Sequence, residues 1–326
     1  MARKLRLQYA GALYHVINRG NYRADVFATD GAKEAFLDCL AEACEKTGWR
    51  VHGYVVMRNH YHLALETPAA NLVEGMQWLQ STYANRFNRF RGEHGHVFQG
   101  RYHAILVEDG AHLGAVVHYI HLNPVRAHLV SARSSPQYRW SSLHFLAKPK
   151  ARPPWLRLGD ALNAAGALPD TAAGHAAYLD FLAWLHEDEP AQEAHGFERM
   201  CAGWAMGSNE FRVALIEDHR EALGDLDLAE ADSAEIRERA GEQALGACME
   251  RLGHSWTEIL EQPKAVAWKV AIAAHLRTKS TVKNPWLAEK LHMGDPDGVS
   301  RYVSELRQGK RPAAAALLRL ISDIRV

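Results

Sequence analysis

The stretch "RNHYHLALETP", residues 58–68, alternates polar and apolar side chains in the manner of a half-buried β-strand. A strand turns successive side chains to opposite faces. His60 and His62 therefore share one face of the predicted strand, whereas Leu63 and Leu65 share the other. The leucine face is typical of a hydrophobic core. The stretch thus predicts a sheet with one packed face and a second face that carries two histidines.

The residues around this stretch predict alternating strands and helices. Apolar residues at helical spacing predict helices, and short apolar runs that end at glycine or polar residues predict strands. The predicted strands are 12–20, 50–59, 60–67 and 101–109, and the predicted helices are 31–48, 71–92 and 110–125. This order is that of a split β-α-β-β-α-β unit with one further helix. We expect an α+β fold: a ferredoxin-like antiparallel sheet, both long helices on one face, and the third helix over a face that is otherwise open.

Residues typical of helix ends set the expected limits of these helices. Asp30 and Asn71 are expected N-caps, because short polar side chains accept hydrogen bonds from the free N–H groups of a first turn. Gly48 and Gly92 are expected to end the first two helices. Pro124 is expected to end the third, since proline lacks an N–H and clashes with the preceding turn.

The composition is that of a globular protein. Of the 326 residues, 48% are apolar and 23% are charged. Apolar runs stay far below the ~20 residues of a membrane span, so we expect no membrane partner. The four cysteines form no CxxC pair, which favours free thiols in a reducing, cytoplasmic environment.

The net charge of zero hides three blocks of different charge. Residues 1–152 contain 19 Lys and Arg against 11 Asp and Glu, residues 153–235 contain 4 against 17, and residues 236–326 contain 15 against 10. The corresponding net charges are +8, −13 and +5. Two basic blocks indicate two surfaces for a polyanion, held apart by an acidic connector. Unevenly charged solvated surface remains the alternative.

Composition also suggests three domains. The proline-rich stretch "KPKARPPW" predicts a boundary near residue 150. We expect a catalytic domain at 1–150, an acidic helical connector at 151–235 and an all-α domain at 236–326. In the last domain, two short helices are joined by the turn "MGDPDG", and Pro285 suits the first turn of the first helix. This pattern predicts a helix-turn-helix.

The histidine face suggests a metal site. His60 and His62 are i and i+2 on a strand, so their imidazoles can converge on one divalent cation. Asn123, on the third predicted helix, could add a neutral oxygen ligand. Such a donor set leaves coordination positions open and suits Mg²⁺ or Mn²⁺ that grips a phosphodiester. A pair of surface histidines without a metal is the alternative.

Tyr119 is the candidate nucleophile. It lies four residues before Asn123, so both side chains share one face of the helix. A tyrosine hydroxyl beside a polarised phosphate can attack it and form a phosphotyrosine ester. A packed helix tyrosine is the alternative. Tyr61, Tyr83 and Tyr102 are weaker candidates, and His118 and His121 are weaker candidate ligands because they point away from the direction of Tyr119 and Asn123.

Several motifs together resemble a known family. They are "GALYHVINRGNYR" (11–23), "VVMRNHYHLALETP" (55–68), "YANRFNRFRGEHGHVFQGRYHAILVE" (83–108), "YIHLNPVRAHLV" (119–130) and "RWSSL" (139–143). In this order they resemble the REP-associated tyrosine transposases, which are single-tyrosine HUH transposases. The resemblance spans roughly residues 1–150. The remainder is similar to a long subgroup whose last segment looks like a DnaA-type helix-turn-helix.

The resemblance implies a reaction and a set of site residues. It implies that His60 and His62 bind the metal with help from Asn123, and that Tyr119 is the nucleophile. The implied reaction cuts and rejoins single-stranded, hairpin-associated DNA through a 5′-phosphotyrosine. The implied partners are single-stranded DNA and DNA hairpins in the nucleoid, with a homodimer left open.

Cations are the expected contacts to the DNA backbone. The candidates are Arg3, Lys4, Arg6, Arg19, Arg23 and Arg101 in the first domain, and Ser300 and Arg301 in the predicted helix-turn-helix. Three other functions stay open. They are a DNA-binding regulator without nuclease activity, an HUH replication initiator or relaxase, and a metal enzyme unrelated to nucleic acid. The tyrosine follows the histidines in the chain, which favours a transposase over an initiator.

Overall fold

The computed structural model describes residues 6–219, 230–280 and 282–324. It divides into two compact units, Met1–Arg212 and Val213–Val326. Most of the acidic connector, residues 151–212, lies within the first unit. The expected boundary at residue 235 falls inside a helix, Glu230–Leu252.

The first unit is built on a five-stranded sheet in the order β2-β3-β1-β4-β5. The strands are β1 (Ala12–Arg19), β2 (Arg50–Val56), β3 (His60–Thr67), β4 (His103–Val107) and β5 (Ala205–Met206). The first four pair antiparallel in the predicted arrangement. The α+β fold is thereby confirmed.

The fifth strand corrects the expectation of a wholly antiparallel sheet. β5 comes from the connector and pairs parallel with β4. The N–H of Leu106 donates to the carbonyl of Trp204 over 3.0 Å, and that of Glu108 donates to Met206 over 2.9 Å. An edge strand offers unpaired backbone groups, and here the connector satisfies them.

Helices cover both faces of this sheet. The helices up to residue 218 are α1 (Asp30–Thr47), α2 (Leu72–Arg91), α3 (Ala111–Arg126), α4 (Gly159–Ala164), α5 (Ala172–Glu187), α6 (Glu189–Ala194) and α7 (Asn209–Asp218), of which α7 crosses the boundary between the two units. As predicted, α1 and α2 lie on the leucine face. There the buried ring of Tyr61 packs against Phe36 of α1, and its hydroxyl accepts a hydrogen bond from Gln80 of α2.

The face expected to be open is covered, which is a second correction. α3 packs on β2 and β3, and Val117 of α3 lies directly over Gly53. Above α3, buried apolar side chains of the connector complete the core, among them Leu182 and Met200. The apolar stripe of α5 packs against α3, because this contact removes hydrophobic surface from water.

Three helix ends differ from expectation. Asn71 precedes α2 as predicted, but its side-chain oxygen accepts from Nε1 of Trp49 and not from the first turn of the helix. The N-cap of α1 is Thr29, whose hydroxyl accepts from the N–H of Ala32, and Asp30 is the first helical residue. α3 passes through Pro124 and ends at Arg126. A proline in the last turn removes one N–H, but the helix has only two residues left to form. Gly48 and Gly92 end α1 and α2 with φ of 70° and 64°, as predicted.

The second unit is helical in the residues that the structure describes. Its helices are α8 (Glu230–Leu252), α9 (Glu258–Glu261), α10 (Ala267–Lys279), α11 (Asn284–Lys290), α12 (Pro296–Arg307) and α13 (Pro312–Leu320). Pro285 lies in the first turn of α11, as predicted. Buried apolar side chains of α10, α11 and α12 share one core. A DNA-binding role for α11 and α12 stays a prediction.

Across the described residues, 6–219, 230–280 and 282–324, the structure holds no helix both long and apolar enough to cross a membrane.

Candidate active site

The two histidines of the opening stretch lie together at the start of β3. Their ring centroids are 5.2 Å apart and the ring planes are nearly perpendicular. His62 is only 3% exposed, whereas His60 is half-buried. The strand alternation places both on the face beneath α3, as predicted. Solvent reaches this cluster from the His60 side.

The third helix brings Tyr119 and Asn123 to the histidines. The Tyr119 ring lies edge-on to His62 with centroids 5.7 Å apart. The Asn123 side chain lies near the His60 ring and the Tyr119 side chain, and its amide donates a 3.2 Å hydrogen bond to the main-chain carbonyl of Tyr119. Residues 60 and 62 on β3 and residues 119 and 123 on α3 therefore form one site.

The nitrogen atoms of this site fit a divalent metal. Nδ1 of His60 lies 2.8 Å from Oδ1 of Asn59, an oxygen that can only accept, so this nitrogen carries the proton and leaves Nε2 for a metal. Burial lowers the pKa of both histidines, which keeps the rings neutral and able to coordinate. Among the described residues, no three His, Cys, Asp or Glu side chains surround one point. The protein groups at this point that could hold a metal are the imidazoles of His60 and His62 and the amide of Asn123.

Tyr119 is poorly ionised in its present surroundings. Burial raises the pKa of its hydroxyl well above 10, and a 3.4 Å hydrogen bond with the thiol of Cys201 raises it further. The Arg126 guanidinium, 5.0 Å from the ring centroid, acts in the opposite direction. A phenol with a raised pKa needs help from a cation to become a nucleophile.

A short segment of the connector, Phe197–Cys201, lies against the tyrosine. The Phe197 ring meets the Tyr119 ring edge-on with centroids 5.4 Å apart. The thiol of Cys201 reaches the hydroxyl, although Cys201 itself is exposed. From the sequence alone we expected Cys201 to be an ordinary thiol and this segment to be part of the acidic connector. We call Phe197–Cys201 the cover segment.

His15 is a third histidine of the site that sequence reasoning missed. It lies on β1, fully buried, and its ring stacks on His62 with centroids 5.1 Å apart. The register pairs His15 with Ala64, which shares a face with His62. Strand alternation in "ALYHVINR" indicates which face of β1 His15 occupies. It places His15 beside His62 only once the pairing of β1 with β3 is known.

The competing residues lie elsewhere. The hydroxyl of Tyr83 donates to the carbonyl of Val26 beneath α1 and α2. Nδ1 of both His118 and His121 lies 2.9 Å from the buried hydroxyl of Tyr178, between α3 and α5. These contacts point the competing groups away from the cluster around His62.

The DNA-binding candidates are scattered. Arg3 and Lys4 lie outside the described residues. The Arg6 guanidinium lies over the Tyr102 ring and donates to its carbonyl. Arg19, Arg23 and Arg101 are exposed, and Nε of Arg19 donates to Gln99 over 2.6 Å.

In the second unit, Ser300 is part of the helix packing and Arg301 is on the surface. The hydroxyl of Ser300 accepts a 2.6 Å hydrogen bond from the amide of Asn284, which ties α12 to α11. Arg301 is exposed beside the Tyr302 ring, at 5.0 Å from its centroid. Both side chains have a partner within the second unit, since Nη2 of Arg301 donates to the Tyr302 hydroxyl over 3.3 Å, but Arg301 also faces solvent.

A comparison with protein-family models agrees with the resemblance noted in the sequence. Residues 8–123 match the family model described as "Transposase IS200 like". One solved structure, a REP-associated tyrosine transposase bound to a REP hairpin, is similar with 16% identity and a TM-score of 0.37. That alignment covers 44% of this chain and 84% of the other. No curated protein matches. The predicted resemblance to transposases is confirmed for residues 8–123, which include His60, His62, Tyr119 and Asn123.

Proposed function

We propose that this chain, whose residues 8–123 match the IS200-like transposase family, cleaves and rejoins single-stranded DNA with Tyr119 as the nucleophile. The observation that carries the proposal is the meeting of Tyr119 with His60, His62 and Asn123 between α3 and β3. A tyrosine hydroxyl, an amide and two imidazoles at one partly exposed point are not needed for hydrophobic packing. Together they suit a phosphodiester.

The proposed step is a transesterification. The oxygen of Tyr119 forms a bond to phosphorus, and the bond from phosphorus to the 3′ oxygen of the preceding nucleotide breaks. The phenolic proton is released and the departing 3′ oxygen takes up a proton, which leaves a free 3′-OH and a 5′-phosphotyrosine. A second 3′-OH reverses the step, so rejoining requires no ATP.

His60, His62 and Asn123 would hold Mg²⁺ or Mn²⁺. Such an ion supplies a positive charge that polarises the phosphate and favours the phenolate. The chain itself orients the parts: the amide of Asn123 donates to the main-chain carbonyl of Tyr119 over 3.2 Å, and the Tyr119 ring packs edge-on against His62. Arg126 adds a fixed cation next to the phenol ring.

The proposed substrate is single-stranded DNA next to a hairpin. The net charges of +8 over residues 1–152 and +5 over residues 236–326 support a polyanion. Arg19, Arg23 and Arg101 are exposed in the first unit, and Arg301 is exposed in the second. We also propose that the chain forms a homodimer and acts in the nucleoid.

A DNA-binding regulator without cleavage is the second candidate. The burial of the Tyr119 hydroxyl and its contact with Cys201 favour it, because both keep the phenol protonated. A replication initiator or relaxase would share the histidine pair and cleave as well. A labelled DNA strand distinguishes the two functions, because a cleaving protein shortens the strand and a binding protein leaves it intact.

Labelled single-stranded hairpins from beside the gene, incubated with Mg²⁺ or Mn²⁺, test the proposal. We expect a covalent protein–DNA adduct on a denaturing gel, lost in Tyr119→Phe while DNA binding persists. Tyr22→Phe is a matched control, because Tyr22 is 92% exposed and lies far from Tyr119 in the sequence, and this variant should form the adduct normally. An adduct in Tyr119→Phe would overturn the assignment, and binding without any adduct would favour the regulator.

A further inference from the structure

His15 makes two hydrogen bonds that involve both nitrogens of its ring. Nδ1 lies 2.7 Å from the carbonyl oxygen of Met200, in the cover segment. Nε2 lies 3.0 Å from Nδ1 of His62. The side chain of His15 is fully buried, and Met200 is fully buried as well. The contact between β1 and the cover segment is therefore shielded from water.

These contacts fix which nitrogen carries each proton. A carbonyl oxygen can only accept, so Nδ1 of His15 must donate its hydrogen to Met200. In a neutral imidazole the other nitrogen is then an acceptor, so Nε2 of His15 accepts from Nδ1–H of His62. His62 is thereby left with a lone pair on Nε2, the nitrogen that would face a metal.

A neutral pair is the arrangement that burial favours. The rings of His15 and His62 are stacked 5.1 Å apart, and their exposed fractions are 0% and 3%. Two imidazolium ions at this separation would repel each other in a poorly solvated place. A free imidazole can carry its proton on either nitrogen. Without a fixed partner, only part of the His62 population would present Nε2.

We propose that His15 is a positioning residue: held by the carbonyl of Met200, it fixes the tautomer and orientation of His62 for metal binding. The proposal rests on the proposed metal-binding role of His62. A histidine whose second nitrogen is held by a fixed partner is the usual arrangement at metal centres, where that partner sets the ring orientation. Here the partner of His62 is another histidine, His15. The main-chain carbonyl of Met200 fixes the tautomer of His15, and His15 in turn fixes that of His62.

The proposal gives the cover segment a role in the site. The carbonyl of Met200 lies about 140 residues beyond His62 in the chain, yet one imidazole separates the two. Residues 197–201 thus contact the candidate nucleophile through Phe197 and Cys201, and the candidate ligand through Met200 and His15. The segment belongs to the catalytic unit in chemistry as well as in packing.

Two substitutions at His15 separate positioning from simple packing. His15→Phe keeps the ring volume and removes both hydrogen bonds. His15→Gln keeps one donor and one acceptor and so can restore the connection. His118→Phe is the matched control: the same substitution at an equally buried ring that bonds to Tyr178 instead. Thermal melting of all four proteins shows which of them are folded.

The first readout is the tautomer of His62 in the metal-free protein, from ¹⁵N chemical shifts of labelled histidines. We expect the Nδ1–H form in the unchanged protein and in His15→Gln, and a mixture in His15→Phe. The second readout is Mn²⁺ affinity by calorimetry. His15→Phe should bind about 10- to 100-fold more weakly, as is usual when the partner of a metal ligand is lost. His15→Gln and His118→Phe should bind like the unchanged protein.

The outcomes distinguish this proposal from the proposed function. An Nε2–H tautomer at His62 in the unchanged protein, or full Mn²⁺ affinity in His15→Phe when His62→Ala has lost it, would overturn the positioning role. Should the unchanged protein bind no Mn²⁺ at all, the metal site of the proposed function fails. The role of His15 toward that metal then fails with it, whether or not the tautomer is fixed.

Discussion

At the scale of single residues, the neighbours of Tyr119 determine whether its hydroxyl can react. Burial and the thiol of Cys201 raise its pKa, and Arg126 lowers it. The free phenol is consequently protonated at neutral pH, and only the small phenolate fraction is nucleophilic. The proposed cleavage would then depend on pH and on any bound group that lowers this pKa.

The pH dependence of cleavage should reflect this. Because the pKa of Tyr119 lies above 10, we expect the single-turnover rate to rise about tenfold per pH unit through the neutral range. Cys201→Ala removes a contact that raises this pKa, so its profile should move to lower pH. Cys201→Ser keeps a hydrogen-bonding group and should resemble the unchanged protein. A flat profile in all three would show that deprotonation of Tyr119 does not limit the rate.

The candidate ligands give a second prediction at this scale. His60→Ala and His62→Ala should each lose Mn²⁺ binding in calorimetry, because each removes one of two imidazoles. Asn123→Ala should weaken binding less, since water can replace one amide oxygen. His128→Ala, at an exposed position after α3, should bind Mn²⁺ normally. Unchanged affinity in His60→Ala or His62→Ala would contradict the metal site.

At the scale of elements, the position of α3 decides where Tyr119 and Asn123 lie. The helix is clamped between the sheet and the connector. On the sheet side, Gly53 lets Val117 approach the β2 backbone. On the other side, Gly114 lies so close to α4 that an added Cβ would overlap Cβ of Ala164. Small residues on both sides thus set the depth of the helix.

Gly114→Ala should therefore destabilise the fold. We expect a loss of about 1–3 kcal/mol in the free energy of unfolding from overpacking. A gain in helix propensity of up to about 1 kcal/mol offsets part of it. Denaturant unfolding measures the change.

A compensating change and a control test the cause of this loss. Ala164→Gly in the same chain removes the overlapping methyl group and should restore much of the stability. Gly31→Ala, where the added Cβ meets only open space, should be neutral or stabilising. If Gly114→Ala is as stable as the unchanged protein, then α4 does not limit the approach of α3.

At the scale of the whole molecule, the chain holds two compact units that each have their own core. The acidic connector contributes β5, α5 and the cover segment to the first unit, so it is part of the folded core of that unit. Residues 236–326, with a net charge of +5, are part of the second unit, and its other residues, 213–235, carry a net charge of −7. A division of labour between strand cleavage and duplex binding is the consequence that can be tested.

Removal of residues 220–326 should separate the two activities. Cleavage of a minimal single strand should stay nearly unchanged, whereas binding to a stem-containing substrate should weaken. Each lost phosphate contact should flatten the slope of log K against log salt by about 0.9. Arg301→Ala in the full chain should do part of the same. Equal affinity and slope after truncation would show that the second unit does not bind the stem.

The sequence by itself determined the local features of this protein. Alternation placed His60 and His62 on one face of a strand, and helical spacing placed Tyr119 beside Asn123, because these periodicities follow from backbone geometry alone. The order of strands and helices then gave the split β-α-β-β-α-β unit. Glycines at 48 and 92 marked helix ends for the same local reason.

Only the tertiary structure decided what covers the site. His15, Met200 and Cys201 lie far from the motif in sequence, and no local period relates them to it. Their approach depends on strand register and on the packing of the connector over α3, which are set by the burial of many side chains at once. For the same reason the face expected to be open is closed: the apolar stripe of α5 could be recognised in the sequence, but not the surface on which it would be buried.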